Sequence, residues 1–131
     1  IAAKSGIRIK LLIPRKPDMR TAFYASQSYL MEILQSGVEV FCYTKGMMHA
    51  KTMVVDNLYS TVGSTNLDQR SFSLNSEVNA FFIDEHIAAV LKKQFEEDLK
   101  DSYPLLLNSL KNRPWYKKAL SSLARLFAPI L

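Results

Sequence analysis

Cysteine is almost missing from this sequence. Cys42 stands alone, so no disulfide can close within the chain and nothing in the cysteine usage calls for an oxidising compartment. Its place in the apolar run VEVFCYT (38–44) marks it as a buried structural thiol. Histidine is scarce too, with His49 and His86 the two copies. Long hydrophobic runs are absent: no stretch reaches the roughly 18 uncharged apolar residues that a membrane-spanning helix requires. The first residues lack the charged-then-apolar layout of a signal peptide, and no repeat or low-complexity segment occurs. What remains is a globular mixture, 131 residues of which 48 % are apolar and 22 % charged. That is enough for one hydrophobic core and too apolar for a disordered chain. The formal charge of +5 points to an anionic partner: nucleic acid, an acidic membrane or a phosphate-bearing substrate.

The opening IAAKSG has no initiator Met and reads as the last turn of a helix, with Gly6 in the position that ends helices. The expectation is a piece cut from a longer protein. IRIKLLIP (7–14) is rich in β-branched and aliphatic residues and reads as a buried strand ended by Pro14. RKPDMR is a polar loop in which Asp18 or Thr21 can cap a helix. Phe23, Leu30, Met31 and Leu34 then recur at helical spacing, Gly37 is the stop, and 38–44 is a second strand. Strand, helix and strand over about 35 residues form a βαβ unit, so part of the sheet is parallel. SEVNAFFID (76–84) is a further strand. Asp84 caps a helix from Glu85 to about Tyr103, with Ile87, Leu91, Phe95 and Leu99 on one face and Pro104 limiting its extent. These elements make an α/β fold, a mixed β-sheet flanked by helices.

Residues 105–131 differ in composition. From Leu110 onward the chain holds Lys111, Arg113, Lys117, Lys118 and Arg125 and no acidic residue. Tyr116, Leu120, Leu123 and Phe127 fall on one helical face. A basic amphipathic helix with an aromatic edge suits an anionic membrane surface; the same pattern also suits a terminal helix docked on the protein's own core.

The chemistry concentrates in MHAKTMVVDNLYSTVGSTN (48–66). Thr52, Val54 and Val55 favour a strand, as do Tyr59, Thr61 and Val62. A two-residue loop at Asn57-Leu58 would set Lys51 opposite Ser64 and His49 opposite Asn66, and a slip of one residue would undo that convergence. Lys51 brings positive charge, while Ser64 and Asn66 bring hydrogen-bond donors suited to phosphate oxygens. Gly63 allows close backbone approach. His49 is the group able to attack phosphorus or move a proton near neutral pH. A metal fits poorly, because the ammonium of Lys51 disfavours a cation and no second His or Cys has ligand spacing. The pattern suggests metal-free phosphoryl transfer with no cofactor. A lone His-x-Lys is usually an ordinary strand pair. Six identities together, His49, Lys51, Asp56, Gly63, Ser64 and Asn66, are not.

H-x-K-x(4)-D followed by G-S-x-N resembles the HKD motif of the phospholipase D superfamily, without a gap. The stretch from His49 to Asn79 looks more narrowly like the second HKD half of bacterial cardiolipin synthases, and RPWYKKALSSLARLFAPIL is similar to the end of those enzymes. The resemblance implies half of an α/β/α sandwich, with 1–104 as the catalytic half-domain and 105–131 as the basic tail. It implies a bacterial membrane enzyme that joins two phosphatidylglycerols into cardiolipin and glycerol through a phosphohistidine. His49 would be catalytic, Lys51 and Asn66 would hold phosphoryl oxygens with Ser64 and Gly63 in support, and Glu77 would fix the imidazole tautomer. Asp56, the third motif residue, would be structural at the turn.

In-line displacement puts nucleophile and leaving group on opposite sides of phosphorus, and one imidazole cannot stand on both. His86, in the first turn of a helix with no Lys two residues on, reads as a surface residue. A second motif is therefore expected, from an N-terminal half of the same protein or from a second copy of the chain. In two-motif relatives the first-half His is usually the nucleophile, which would make His49 the acid/base. The rival reading is a homodimeric single-motif phosphodiesterase acting on nucleic acid, although the aromatic-basic platform of single-strand binders is missing. An inactive half-site is the third.

Overall fold

The computed structural model describes residues 1–15 and 29–111. After a 3-10 turn at Ala2–Ser5, the elements in chain order are β1 (Lys10–Pro14), α1 (helical over 29–35), β2 (Glu39–Tyr43), β3 (Thr52–Val55), β4 (Tyr59–Gly63), α2 (Gln69–Ser73), β5 (Asn79–Ile83), α3 (Glu85–Lys100), β6 (Ser102–Pro104) and α4 (Leu107–Lys111). They fall into two compact units, Ile1–Met47 with Ser102–Leu131, and Met48–Asp101. The sequence suggests one mixed sheet; the described strands form two sheets of three, in the orders β1-β2-β6 and β3-β4-β5.

In the first unit β1 and β2 run parallel, as the βαβ pattern requires. Glycine punctuates it at two places. Gly6, at φ 91°, ends the 3-10 turn, and Gly37, at φ 92°, ends α1. The N–H of Val38 then returns to the Ile33 carbonyl and that of Gly37 to Leu34, the paired bonds of a glycine-terminated helix. Leu30, Val40 and Leu110 form the buried centre, with Leu11, Ile13, Met31, Ile33, Leu34, Val38 and Leu105 packed around it. The start of the 105–131 segment thus contributes Leu105 and Leu110 to this core. The cap at Asp18 or Thr21, the helical position of Phe23 and the aromatic-basic face from Trp115 onward lie outside the described residues.

The helix expected to reach Tyr103 stops at Lys100, because Ser102–Pro104 pairs antiparallel with Phe41–Tyr43 instead. Pro104 is acceptable there, since β6 is an edge strand and needs no N–H on its open side. Cys42 is buried and free, as its apolar run implies. Burial pushes its thiol up, against a hydrogen bond with Tyr103 on the neighbouring strand.

The second unit is an antiparallel meander of β3, β4 and β5 with α3 packed on β3 and β4. The Asp84 carboxylate accepts from the Ile87 N–H at 2.8 Å and starts α3 as expected. Ile87, Leu91, Phe95 and Leu99 are all half-buried, and Ala88 is fully buried. Paired residues in a sheet point to one face. Val54, Ser60 and Phe82 form one row, with Ser60 buried and the other two half-buried. The alternate rows, Met53-Thr61-Phe81 and Val55-Tyr59-Ile83, put five large apolar side chains on the opposite, exposed face.

Candidate active site

Every residue singled out from the motif lies in the second unit. The hairpin that carries them has a different register from the one expected. The N–H of Leu58 donates to the Val55 carbonyl at 3.2 Å, and the two residues between, Asp56 and Asn57, have φ of 52° and 56°. The turn is therefore centred one residue earlier than Asn57-Leu58. Aspartate and asparagine tolerate the left-handed region, whereas leucine resists it. Leu58 becomes an extra residue before pairing starts, and Val55 lies opposite Tyr59 rather than Ser60.

That single-residue shift relocates the site. Lys51 stands across from Gly63, whose N–H donates to the Lys51 carbonyl at 3.1 Å, and not across from Ser64. Nor is Ser64 aimed at the first strand of the hairpin: its N–H donates to the Val78 carbonyl at 2.9 Å, and its hydroxyl accepts from the Val78 N–H at 3.0 Å. The same hydroxyl donates to Glu77 Oε2. Asn66 is exposed and fixed through its backbone, its N–H donating to the Ser71 hydroxyl at 3.2 Å. The convergence predicted across β3 and β4 is replaced by one between the loop after β4 and the segment entering β5.

Glu77 is the centre of that convergence. It accepts from the Ser64 hydroxyl and from the Asn75 amide at 3.3 Å. The nearby hydroxyls of Ser64 first and Ser71 next hold its carboxyl below the usual carboxylate range; desolvation opposes them, and the Asn75 amide and Lys51 ammonium add smaller contributions in the same sense as the hydroxyls. A carboxylate only accepts, so each donor is satisfied while Glu77 is ionised. The folded pKa lies below the unfolded value. The resulting stabilisation is therefore present above about pH 4.3, the ordinary glutamate value, and is lost as pH falls through the folded pKa. Urea melts of the wild type and Glu77→Gln are expected to differ at pH 7, with a smaller gap at pH 3. A gap of equal size at both pH values would show that the charge of Glu77 is not what matters.

His49 is exposed and sits two residues before Lys51. The Lys51 ammonium donates to the His49 carbonyl at 2.9 Å, which ties the two motif residues by a local bond. Gly63 is where β5 comes close. A Cβ there would overlap the Asn79 side chain and the Val78 carbonyl, so the close approach is made by the neighbouring strand. Asn79 in turn donates to the Thr65 hydroxyl at 2.7 Å. At the turn, the tie to α3 runs through Asn57, whose side-chain oxygen accepts from Lys92 at 2.8 Å. Asp56, beside it, supplies one of the two left-handed residues. His86 is exposed in the first turn of α3. Among the described residues no cluster of His, Cys, Asp or Glu could hold a metal ion.

Sequence reasoning passed over Asp68, Ser71, Asn75 and Asn79. One signal was there to be used. Asp68 followed three residues later by Ser71 has the spacing of a helix N-cap and its N3 position, and Asp68 does accept from the Ser71 N–H at 2.7 Å. That cap places the Ser71 hydroxyl, on a residue 6 % exposed, where it accepts from the Asn66 N–H. The arrangement gathers the Ser64 hydroxyl and the Asn75 amide on the Glu77 carboxylate, with the Lys51 ammonium favouring its ionised form and bonded to the backbone of the exposed His49. Such a set can bind an anionic group and handle a proton.

Residues 1–99 match the family model described as the phospholipase D-like domain of cardiolipin synthase. The cardiolipin synthase of Halalkalibacterium halodurans is 43 % identical over all 131 residues, and cardiolipin synthase 1 of Staphylococcus aureus strain COL is 44 % identical over the same length. The chain spans only about a quarter of those relatives, 26 % and 27 %. Two solved structures share the fold. Phosphatidylserine synthase from Haemophilus influenzae aligns with a TM-score of 0.70 at 19 % identity, covering 98 % of this chain and 35 % of that one. The phospholipase D family member Nuc from Salmonella typhimurium aligns with a TM-score of 0.66 at 22 % identity, covering 79 % of this chain and 68 % of that one. With the H-x-K-x(4)-D and G-S-x-N residues on one unit and the family match running through it, the chain belongs to the cardiolipin synthase phospholipase D-like domain family.

Proposed function

We propose that this chain is the C-terminal catalytic part of a phosphatidyltransferase that makes cardiolipin and glycerol from two molecules of phosphatidylglycerol. The observation that carries the reading is the family match over residues 1–99, which includes every motif residue from His49 to Glu77. In this reaction a histidine attacks the phosphodiester of one lipid, and a phosphorus–nitrogen bond forms as the bond to glycerol breaks. A second histidine gives the departing glycerol its proton. It then takes one from the hydroxyl of the other lipid, whose oxygen displaces the first histidine. His49 supplies one imidazole of the pair, the acid/base by analogy with two-motif relatives. Lys51 and Asn66 hold the phosphoryl oxygens, Ser64 supports them, and Glu77 maintains the charge balance and ring orientation of the imidazole.

The second imidazole comes from the N-terminal half of a longer protein, a reading supported by the chain's spanning a quarter of its relatives. The membrane location belongs to that longer protein. No helix among the described residues is long and apolar enough to cross a membrane, and the basic residues beyond Leu110 would add attraction to an anionic lipid surface. The alternative, a homodimer with one motif per copy, is favoured by one observation: the chain covers 68 % of Nuc, so the two are of comparable size.

Hydrolysis of a chromogenic phosphodiester across a range of chain concentrations separates the two. A half-site is expected to be inactive at every concentration and to gain activity when the N-terminal half is supplied. Activity that rises with the square of concentration and is absent in His49→Ala would overturn this reading in favour of the dimer.

A further inference from the structure

Three consecutive residues of the loop after β4 are each held by a different partner. Ser64 is bonded to the Val78 backbone in both directions, its N–H donating at 2.9 Å and its hydroxyl accepting at 3.0 Å. The Asn66 N–H donates to the Ser71 hydroxyl at 3.2 Å. Between them, Thr65 is held by one side chain. Its N–H donates to Asn79 Oδ1 at 3.4 Å, and Asn79 Nδ2 donates to Thr65 Oγ1 at 2.7 Å. A backbone N–H can only donate, so it faces the amide oxygen, and the amide nitrogen is left to face the hydroxyl. The two contacts therefore fix which way the amide points. Thr65 and Asn79 are both half-buried, where a polar group that loses its partner is costly.

The β4–β5 ladder ends at the pair Gly63 and Asn79. Beyond it the Asn79 amide serves Thr65 as a backbone partner would, accepting its N–H. The amide has room to do so because residue 63 is glycine, where a Cβ would overlap the Asn79 side chain. Two residues before Asn79, Glu77 takes the Ser64 hydroxyl. One short segment entering β5 thus grips the loop at Ser64, through Glu77 and Val78, and at Thr65, through Asn79. We propose that Asn79 is a positioning residue of the reaction above. Its side-chain amide clamps Thr65 and so sets the angle at which the loop presents Asn66 to the phosphoryl group. Its catalytic meaning rests on the proposed function, whereas the clamp belongs to the folded chain.

Asn79→Ala removes the clamp from one side, and Thr65→Val and Thr65→Ser separate bonding from packing on the other. Valine matches the shape of threonine and keeps the N–H but cannot accept from Asn79. Serine loses the methyl group and keeps the oxygen. In Asn79→Ala the Thr65 amide is expected to exchange its hydrogen about 10-fold faster, the factor that one net hydrogen bond represents. In the active two-half enzyme, Asn79→Ala and Thr65→Val are expected to lower kcat by about 10-fold or more with little change in KM, because the same groups are presented less accurately. Thr65→Ser is expected to stay near wild type, and Thr65→Val with Asn79→Ala to be no worse than Asn79→Ala alone. Should Asn79→Ala fail to fold, Thr65→Val reads the shorter bond from the other side. Damage in Thr65→Ser but not in Thr65→Val would mean that the contact is packing, and would overturn the proposal. Unchanged Thr65 exchange in Asn79→Ala, or losses that simply add, would overturn it too. If exchange responds as expected while the wild-type chain shows no phosphatidyl transfer in any assembly, it is the proposed function that fails, and the clamp on Thr65 stands.

Discussion

Gly63→Ala is expected to lower the melting temperature of the chain by on the order of 10 °C, corresponding to a destabilisation of about 3 kcal/mol. The reason is space rather than backbone angle. Gly63 lies opposite Asn79 at the end of the β4–β5 ladder. A methyl group there would fall well inside 3.0 Å of the Asn79 side chain and of the Val78 carbonyl oxygen. The side chain can swing away at the cost of its bond to Thr65. The Val78 carbonyl has less freedom, because it accepts the Ser64 N–H that leads into the Glu77 network. The two contributions separate in a double-mutant cycle. Adding Asn79→Ala should relieve the side-chain overlap and recover only part of the loss, leaving the backbone clash. Thermal melts followed by circular dichroism give both numbers. A Gly63→Ala variant melting within about 2 °C of wild type would mean that β5 is not held against β4 at this point.

The same few residues show how far the sequence could be read. Helix ends were legible because single side chains make them: Asp84 reaches one N–H, and Gly37 adopts one backbone conformation. The identity of the site was legible because six residue types at fixed offsets have a chemical meaning before they have coordinates. Register was not, because it depends on one torsional choice in a three-residue turn. Asp56, Asn57 and Leu58 are all compatible with a hairpin, and the preference of the first two for positive φ decides against the loop centred on Asn57-Leu58. The consequence was large. A one-residue offset replaced Lys51 facing Ser64 with Lys51 facing Gly63, and it moved the polar convergence to Glu77. β6 was missed for a related reason: a three-residue edge strand has no periodicity to detect, and Pro104 reads as a helix breaker whether or not a strand forms. Asn79 was passed over because its importance comes from a partner on another segment, the Thr65 hydroxyl, which no local pattern encodes.

His49→Ala is expected to reduce phosphatidyl transfer in the assembled two-half enzyme by about 10⁴-fold or more, the scale on which loss of a catalytic imidazole acts. How the loss depends on the substrate is the more informative result. A general acid is needed when the leaving group is a poor one, such as the glycerol alkoxide, and is nearly dispensable when the leaving group is already acidic, such as a nitrophenol. If His49 is the acid/base, His49→Ala should still release one equivalent of nitrophenol in a burst and trap a phosphorylated histidine on the other half. Resolution of that intermediate should then be slow, because the same imidazole deprotonates the incoming hydroxyl. If His49 is the nucleophile, the burst disappears together with turnover for every substrate. Lys51→Ala distinguishes charge from proton transfer. Its ammonium is bonded to the His49 carbonyl and, in the proposed reaction, holds a phosphoryl oxygen. Its loss should therefore penalise glycerol and nitrophenol leaving groups alike. A His49→Ala variant that retains wild-type transfer of the natural lipid would remove His49 from the reaction, and with it the phosphohistidine mechanism as assigned to this chain.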